Sequence, residues 1–410
     1  MNIRKYVKSI KDLGANTIAF ALGIVIQQLL VMPILARYAS EDVFAEIIFF
    51  HSVFNVLCVV LGEELGNVKM IRNDVYETKR LQGDYALILM ASLAFVVVCS
   101  NVCYFLFDIS YFNLLVCILT LLLGIVRYYC MTSYRLKQQF NVILIINIFY
   151  CVGEIVGLVV AIAFHFYFLV FLIGEIVALT CWMVIRQRNG EKFCKNIFSK
   201  TSEMGKTLKA YGGIGGVAII SNGVTYLDRL LVYPLAGASA MNMYYGASSM
   251  SKMLSLIVNP FSTFMLAKLV AVRENREEKI IKKCVQIMLP MLLLFIFGSI
   301  TVTYFGVKIF YPQYFKTAVE LLIPIGFATA LGLETSLLKP IVMRFYEANK
   351  LLFIQMFYAL VLIVCMYFFS YRWGMHGFAW ATCIGRAIQL FAYFLLLRIR
   401  KRGNKNDRDE

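Results

Sequence analysis

Charged residues are scarce in this sequence, at 16% of 410 residues, whereas hydrophobic residues make up 60%. The mean hydropathy of +0.74 lies far above that of soluble globular proteins. No polar interval between the apolar runs is longer than about 25 residues, which leaves no room for a soluble domain beside the apolar segments. The shortage of charge therefore predicts an all-α polytopic membrane protein.

Signals for catalysis and for metal binding are also missing. The eleven cysteines lie mostly in apolar runs, without CxxC spacing or accompanying histidines, so we expect neither a zinc site nor a disulfide framework. The segment YGGIGG, residues 211–216, lacks the Gly-Lys-Ser/Thr ending of a phosphate-binding loop and is typical of a hinge or of close helix packing. We expect no enzyme, no metal and no cofactor, with H⁺ or Na⁺ as the possible coupling ion.

Apolar windows of about 20 residues predict twelve membrane-spanning helices. Their centres are Val25, Phe54, Val96, Leu121, Val152, Ile176, Gly223, Ser255, Phe295, Ala328, Tyr358 and Arg386. The basic start of the chain precedes a long apolar run without a cleavage site, which favours a retained first helix over a signal peptide.

Lysine and arginine are distributed unevenly between the two sides of the predicted spans. With the N-terminus inside the cell, 33 of the 40 Lys and Arg residues fall in cytosolic segments, four fall outside and three lie within spans. This imbalance predicts that both termini are cytosolic. The net charge of +16 therefore follows membrane sidedness and does not indicate nucleic-acid binding.

A basic segment in the middle of the chain divides the predicted spans into two sets of six. We predict an N-terminal lobe over residues 1–186, a basic cytosolic linker over 187–208, a C-terminal lobe over 209–398 and a basic cytosolic tail over 399–410. Because six crossings return the chain to its starting side, the two lobes should have the same orientation and be related by an axis along the membrane normal.

A short internal repeat supports this division. LLVMPI in the first span matches LLVYPL in the seventh at four of six positions, with the prolines 201 residues apart. Together with the equal span counts, this match favours a duplicated unit. Under the alignment, Gln27 and Gln28 occupy the places of Asp228 and Arg229.

Three spans of the second lobe carry polar side chains at helical spacing on one face. Such a stripe in a membrane helix faces protein or water rather than lipid. Each stripe contains one cation, namely Arg229, Lys252 or Arg386. The other candidate substrate-binding residues of these stripes are Asn222, Tyr226, Tyr245, Ser248, Asn259 and Gln389. We interpret the stripes as the lining of a wet, positively charged cavity for an acidic substrate.

An alternative reading needs no cavity. Asp228 would neutralise a neighbouring cation, and Arg229, in the outer third of its helix, would extend toward the membrane surface. This reading explains Lys252 and Arg386 less well, because both lie near the middle of their spans.

The first lobe carries mainly acidic residues within its spans. Glu154 and Glu175 lie near the middle of the fifth and sixth spans, and Arg127 lies nearer the cytosolic end of the fourth. A buried carboxylate can carry a proton or hold a sodium ion, which makes both residues, with Asp228, candidate coupling groups. A structural ion pair with Arg127 is an equally open alternative, and Arg127 is itself a secondary candidate for substrate binding.

Several segments carry a resemblance to a known family: PILARYASEDVFAEI (residues 33–47), the adjacent Asp228 and Arg229, GASAMNMYYGAS (residues 237–248) and the division into six plus six spans. In these features the whole chain resembles the polysaccharide flippases of Wzx type. These flippases belong to the multidrug/oligosaccharidyl-lipid/polysaccharide (MOP) exporter superfamily.

The resemblance implies a V-shaped pair of six-helix lobes that opens alternately to each side of the bacterial cytoplasmic (inner) membrane. The implied substrate is an undecaprenyl-diphosphate-linked oligosaccharide, the repeat unit of O-antigen, capsule or exopolysaccharide. The cavity cations would hold its diphosphate or acidic sugars, and an ion antiport would drive the cycle. A polysaccharide polymerase and a chain-length regulator are the implied protein partners.

Two other functions remain open from the sequence. A multidrug or cation exporter of the same superfamily would be expected to use acidic rather than basic cavity residues. A non-transporting membrane assembly factor would tolerate changes of the midspan cations and would depend on its loops.

Overall fold

A computed structural model describes residues 21–79, 81–106, 110–190, 200–258, 262, 277–345 and 348–409 of the chain. The regular structure of these residues is helical throughout. Its first six long helices are α1 (Ala21–Tyr38), α2 (Glu41–Ile71), α3 (Gln82–Leu106), α4 (Tyr111–Leu136), α5 (Phe140–Phe164) and α6 (Leu169–Arg188). A short helix, Asn73–Lys79, follows α2.

The helices of the second half are interrupted at two places. Helix Met204–Lys252 has non-helical backbone angles at Gly237, and helix Ala348–Asp409 has them at Trp373 and Gly374. We name the parts on either side of these breaks α7 (residues 204–236), α8 (238–252), α11 (348–372) and α12 (375–409). Between them lie α9 (Glu277–Phe310) and α10 (Leu322–Phe345), joined by the short helices Pro312–Tyr314 and Phe315–Glu320.

Nine helical stretches of the described residues are long and apolar enough to cross a membrane. Six of them are α1 to α6 over the bounds above or slightly shorter ones, and the others are Gln286–Phe310, Leu322–Val342 and Phe353–Leu396. The predicted all-α multi-pass membrane fold is therefore confirmed. Helices α7 and α8 are not among the nine, and the count of twelve crossings stays a prediction.

Contacts within the chain group it into two units, Met1–Tyr226 and Leu227–Glu410. The division falls inside α7, so the first part of this helix belongs with α1 to α6. The predicted linker over 187–208 lies partly outside the described residues, and its boundaries stay a prediction.

Polar contacts anchor the start of α7 to the first unit. The buried carboxylate of Asp84 accepts hydrogen bonds from the backbone N–H of Thr201, at 2.8 Å, and from the Thr201 hydroxyl. Arg72 pairs with Glu203 at 2.9 Å and donates to the hydroxyl of Thr207 at 2.5 Å. These contacts explain why the first part of α7 groups with the first unit.

Small residues bring α5 and α6 close together. A Cβ added at Gly153 would lie 2.8 Å from the Cα of Gly174, and one added at Gly157 would lie 2.8 Å from the backbone oxygen of Val170. Close backbone approach at small residues is a common way for membrane helices to associate. It places Glu154 and Glu175, each next to one of these glycines, inside the first unit.

Helix α10 contacts several neighbours in the second unit. The hydroxyl of Ser299 on α9 donates to the backbone oxygen of Gly326 on α10 at 2.8 Å. The hydroxyls of Ser251 on α8 and Thr329 on α10 are hydrogen-bonded at 2.8 Å. These interhelical bonds satisfy hydroxyl groups that would otherwise face hydrocarbon.

Prolines and irregular turns do not coincide throughout. Proline inside a helix removes one backbone hydrogen bond, which predicts kinks at Pro33, Pro234, Pro260 and Pro324. Helix α1 contains a π-helical turn, Gln27–Val31, just before Pro33. Pro234 lies within α7, three residues before the break at Gly237. Pro324 lies in the first turn of α10, where a helix does not need the missing N–H, so the kink predicted at this residue is not required. Pro260 lies outside the described residues.

Candidate functional site

An ion pair in the second unit joins the carboxylate of Asp228 on α7 to the ammonium of Lys252 on α8. In one continuous helix the 24 positions between them would span about 36 Å. The break at Gly237 lets the chain return instead. The hydroxyl of Tyr244 also donates to Asp228 Oδ2, at 3.2 Å, and the backbone N–H of Arg229 donates to Oδ1 at 3.0 Å.

Asp228 is buried within this arrangement, whereas the Lys252 side chain is 35% exposed. A buried carboxylate is tolerated when its oxygens receive charged or polar donors, as they do here. The alternative in which Asp228 neutralises a neighbouring cation is therefore seen, with Lys252 as its partner.

The guanidinium of Arg229 is buried against an aromatic ring. Its central carbon lies 4.8 Å from the ring centroid of Tyr245, a distance suited to a cation–π contact. Tyr245 in turn packs edge-on against Tyr311, with centroids 6.2 Å apart. Arg229 is only 5% exposed, so its side chain is buried and not extended into solvent.

Arg386 on α12 contacts an amide oxygen and an aromatic ring, both of which are uncharged. Its Nη1 donates to Gln389 Oε1 at 3.1 Å, and its guanidinium lies 5.4 Å from the ring centroid of Tyr358 on α11. A Cβ at Gly332 of α10 would lie 3.6 Å from Arg386 Nε, so the absence of a side chain there leaves room for the guanidinium. No carboxylate of the described residues forms an ion pair with Arg386.

These charges form one electrostatic group. Arg229 and Arg386 both act on the Lys252 ammonium, and Asp228 acts on it with opposite sign. One carboxylate against three cations leaves a formal excess of two positive charges among these four residues. These four residues therefore offer an anion more positive charge than the Asp228 carboxylate removes.

The remaining predicted residues of the second-lobe stripes have varied surroundings. The Asn222 amide donates to the backbone oxygen of Ala218 on its own helix at 3.0 Å. Ser248 is buried, and its hydroxyl has no hydrogen-bond partner among the described residues. Tyr226 is the last residue of the first unit, and Asn259 lies outside the described residues.

In the first unit, Arg127 and Glu175 form a two-point ion pair. Arg127 Nε lies 2.7 Å from Glu175 Oε2, and Nη2 lies 2.8 Å from Oε1, with both side chains buried. The guanidinium also lies 4.3 Å from the ring centroid of Tyr150. The structural-pair alternative is thus the arrangement seen, and neither group reaches a substrate or an ion without opening this pair.

Glu154 is the buried carboxylate of the first unit with weaker partners. Its Oε1 accepts a hydrogen bond from Gln27 Nε2 at 3.2 Å, and the residue is fully buried. Gln27 lies in the π-helical turn of α1, at the position that the internal repeat matches to Asp228. The internal repeat therefore singled out Gln27, but it did not indicate that Gln27 bonds to Glu154 on α5.

Sequence reasoning missed Glu334. This residue of α10 is buried, and its Oε2 has no hydrogen-bond partner in the part of the chain that the structure describes. The available signal was its position as the acidic residue of the apolar run Leu322–Phe345. No group of three or more His, Cys, Asp or Glu residues within the described ranges is arranged to hold a metal ion.

Comparison with known proteins shows the fold. No family model matches the chain, and no curated protein matches it. An inward-facing MATE multidrug-resistance transporter of the MOP superfamily is 14% identical, with coverage of 93% of this chain and 96% of that chain and a TM-score of 0.65. The inward closed form of the lipid II flippase MurJ is also 14% identical, covering 94% and 88%, with a TM-score of 0.75.

A third structure, the bent form of the Vibrio cholerae MATE transporter VcmN, is 14% identical over 96% of this chain and 97% of that chain, with a TM-score of 0.58. The chain therefore has the fold of the MOP-superfamily transporters. This fold is shared by proteins with different cargoes, so the cargo must be argued from the residues.

Proposed function

We propose that the chain is a transporter that flips undecaprenyl-diphosphate-linked oligosaccharides from the cytosolic to the outer leaflet of the bacterial cytoplasmic membrane. The observation that carries the proposal is Arg386, a cation within an apolar helix for which no described carboxylate provides an ion pair. A cation at this depth costs several kcal/mol unless it has a partner or water. An anionic substrate would supply that partner during transport.

The chemistry of a lipid diphosphate suits the second unit. Arginine binds phosphate oxygens through two parallel hydrogen bonds, and such charge-assisted bonds are about twice as strong as neutral ones. The diphosphate would meet Arg386 and Lys252, while its polyprenyl chain stays in the bilayer.

The MurJ likeness supports a lipid-linked cargo, since that protein is a lipid II flippase with the same fold. For this chain, transport of O-antigen, capsule or exopolysaccharide units is the proposed specialisation. A polysaccharide polymerase and a chain-length regulator would then act on the product outside the membrane. The cycle would alternate access between the two sides, because cargo contacts that differ between two states are what shifts their populations.

Multidrug export is a second candidate function. It is favoured by the MATE structures of the same fold and by the fully buried Glu154, since buried carboxylates suit cationic drugs and coupling protons. The basic excess around Arg386 argues the other way. A non-transporting assembly factor would need neither group, and transport of either cargo would exclude it.

Replacing Arg386 by glutamine tests the proposed cargo. Arg386 holds no described carboxylate, so R386Q should insert and fold without leaving a buried anion behind. We expect the translocation of lipid-linked oligosaccharide in proteoliposomes to fall at least about tenfold, the cost of one charged hydrogen bond. The matched control is R372Q, which removes an exposed arginine of α11. Drug efflux without any oligosaccharide translocation would assign the chain to the second candidate.

Replacing Glu154 by glutamine tests the proposed coupling role. Glutamine has nearly the same shape and can still bond to Gln27, so the helix packing should persist. If Glu154 is the coupling group, the amide of E154Q cannot take its place, because an amide neither gains nor loses a proton in this role. Transport by E154Q should then be insensitive to an imposed pH or sodium gradient. If either gradient still accelerates transport by E154Q, Glu154 is not the coupling residue. Asp228 and Glu175 are weaker candidates, because ion pairs already engage them.

A further inference from the structure

A groove runs along the surface of the first unit between α1 and α5. Its volume is about 550 Å³, and its lining residues are Leu30, Ile34, Arg37, Tyr38, Ile155, Leu158, Val159 and Ile162. The lining positions recur at three- and four-residue spacing on each helix, so each helix contributes one continuous face. Except at the end formed by Arg37 and Tyr38, the lining is aliphatic.

Hydrogen bonds tie the two sides of the groove together beyond both of its ends. Before it, Gln27 of α1 donates to Glu154 of α5 at 3.2 Å. After it, the hydroxyl of Tyr167, which follows α5, donates to the backbone oxygen of Tyr38 at 2.8 Å. The helices are therefore held together on either side of a stretch where their side chains do not fill the space between them.

The groove opens to the surface. Val159 is 66% exposed and Tyr38 is 59% exposed, and Arg37 is exposed beside it. Both α1 and α5 are apolar enough to cross a membrane, so the medium that meets this surface is the bilayer. Acyl chains are the apolar material available to fill it.

The length of the groove selects the kind of chain. From Leu30 to Arg37 a helix rises about 10 Å, which is shorter than the roughly 15 Å depth of one leaflet of a 30 Å hydrocarbon core. The groove therefore covers most of one acyl chain of a leaflet, whereas it would cover only a small part of a long polyprenyl chain.

The polar end of the groove selects the headgroup. Arg37 lies at the end of α1, where lipid headgroups begin, and Tyr38 beside it is typical of a membrane interface. In the predicted topology Arg37 is one of only four Lys and Arg residues on the outer side. A phosphate that carries a net negative charge complements this arginine.

From this geometry we propose that the groove between α1 and α5 binds one acyl chain of an anionic phospholipid, with the headgroup phosphate at Arg37. The site shares no residue with the group formed by Asp228, Arg229, Lys252 and Arg386, and it does not depend on the proposed cargo. The proposed occupant is a lipid of the bilayer and not the tail of a transported substrate.

Native mass spectrometry of the full chain, released from bilayers with equal amounts of phosphatidylglycerol and phosphatidylcholine, tests this site. One basic residue near a membrane surface raises the affinity for an anionic lipid over a zwitterionic lipid about fivefold. We expect the retained lipid to favour phosphatidylglycerol by about that factor. The preference should disappear in R37Q and persist in R37K, because lysine keeps the charge.

A second pair of variants tests the groove itself. Val159→Trp fills the groove and should release the retained phosphatidylglycerol. Ile176→Trp, at an exposed position of α6 outside the groove, should not. Equal helix content and monodisperse elution of all variants would show that folding is unaffected.

Three results would overturn the proposal: no lipid preference in the original chain, an unchanged preference in R37Q, or an unchanged preference in the Val159→Trp variant. Displacement of the phosphatidylglycerol by added undecaprenyl diphosphate would also overturn it, because the groove would then hold a polyprenyl tail. None of these results would bear on Arg386 and the proposed translocation.

Discussion

At the scale of single residues, the adjacent charges Asp228 and Arg229 have different environments. Asp228 forms an ion pair with Lys252 and accepts a hydrogen bond from the Tyr244 hydroxyl, whereas Arg229 lies against the ring of Tyr245. Adjacent helix positions point about 100° apart, so neighbours in sequence face different surroundings. The two charges are therefore tolerated for separate reasons.

Removing Lys252 alone should destabilise the chain. K252Q would leave the buried Asp228 carboxylate without its cation. We expect a cost below the roughly 3–5 kcal/mol of a fully buried pair, because the Lys252 side chain is 35% exposed. The double variant D228N/K252Q removes both charges and keeps hydrogen-bonding side chains of similar size, so it should recover most of that loss. Thermal unfolding of the purified proteins measures both. Equal losses in the single and double variants would mean that the ion pair is not what K252Q disrupts.

The sequence was informative about residue type and less so about partners. Helical spacing identified Arg229, Lys252 and Arg386 as residues of polar faces. It did not show that Lys252 meets Asp228, since that contact depends on the return of the chain at Gly237. Spacing along one helix gives a direction, and the residue met in that direction depends on tertiary packing.

At the scale of helices, the break between α7 and α8 depends on one glycine. Gly237 has φ 81° and ψ −175°, a conformation that essentially only glycine adopts. The hinge predicted at YGGIGG is not where the chain bends, because residues 211–216 are helical. Close packing is not found at these glycines either, since an added Cβ would meet no atom of the described chain within 4 Å.

Gly237→Ala should therefore strain the break. We expect a loss of about 1–3 kcal/mol in unfolding free energy, the cost of a side chain held in this region of backbone angles. Gly223→Ala is the matched control, because Gly223 lies in α7 and an added Cβ there would also meet no atom within 4 Å. The control should be neutral or stabilising. If both variants unfold alike in a thermal scan, the backbone at Gly237 is not strained by alanine.

At the scale of the whole molecule, composition alone predicted the class of fold. A chain with 60% hydrophobic residues and long apolar windows has few alternatives to a bundle of membrane helices. The predicted division into lobes and linker stays a prediction. The basic linker suggested a boundary before residue 209, whereas contacts group residues up to Tyr226 with the first unit. The anchoring by Asp84 and Arg72 is a long-range effect that a charge pattern does not encode.

The central claim is that Arg386 and Lys252 of the second unit bind an acidic lipid-linked cargo. Equilibrium binding of undecaprenyl-diphosphate-linked oligosaccharide to the purified full chain tests it most directly. The account predicts that Kd rises at least about tenfold in R386Q, for the loss of a charged hydrogen bond, and stays unchanged in R372Q. The same Kd for the original chain and for both variants would contradict it.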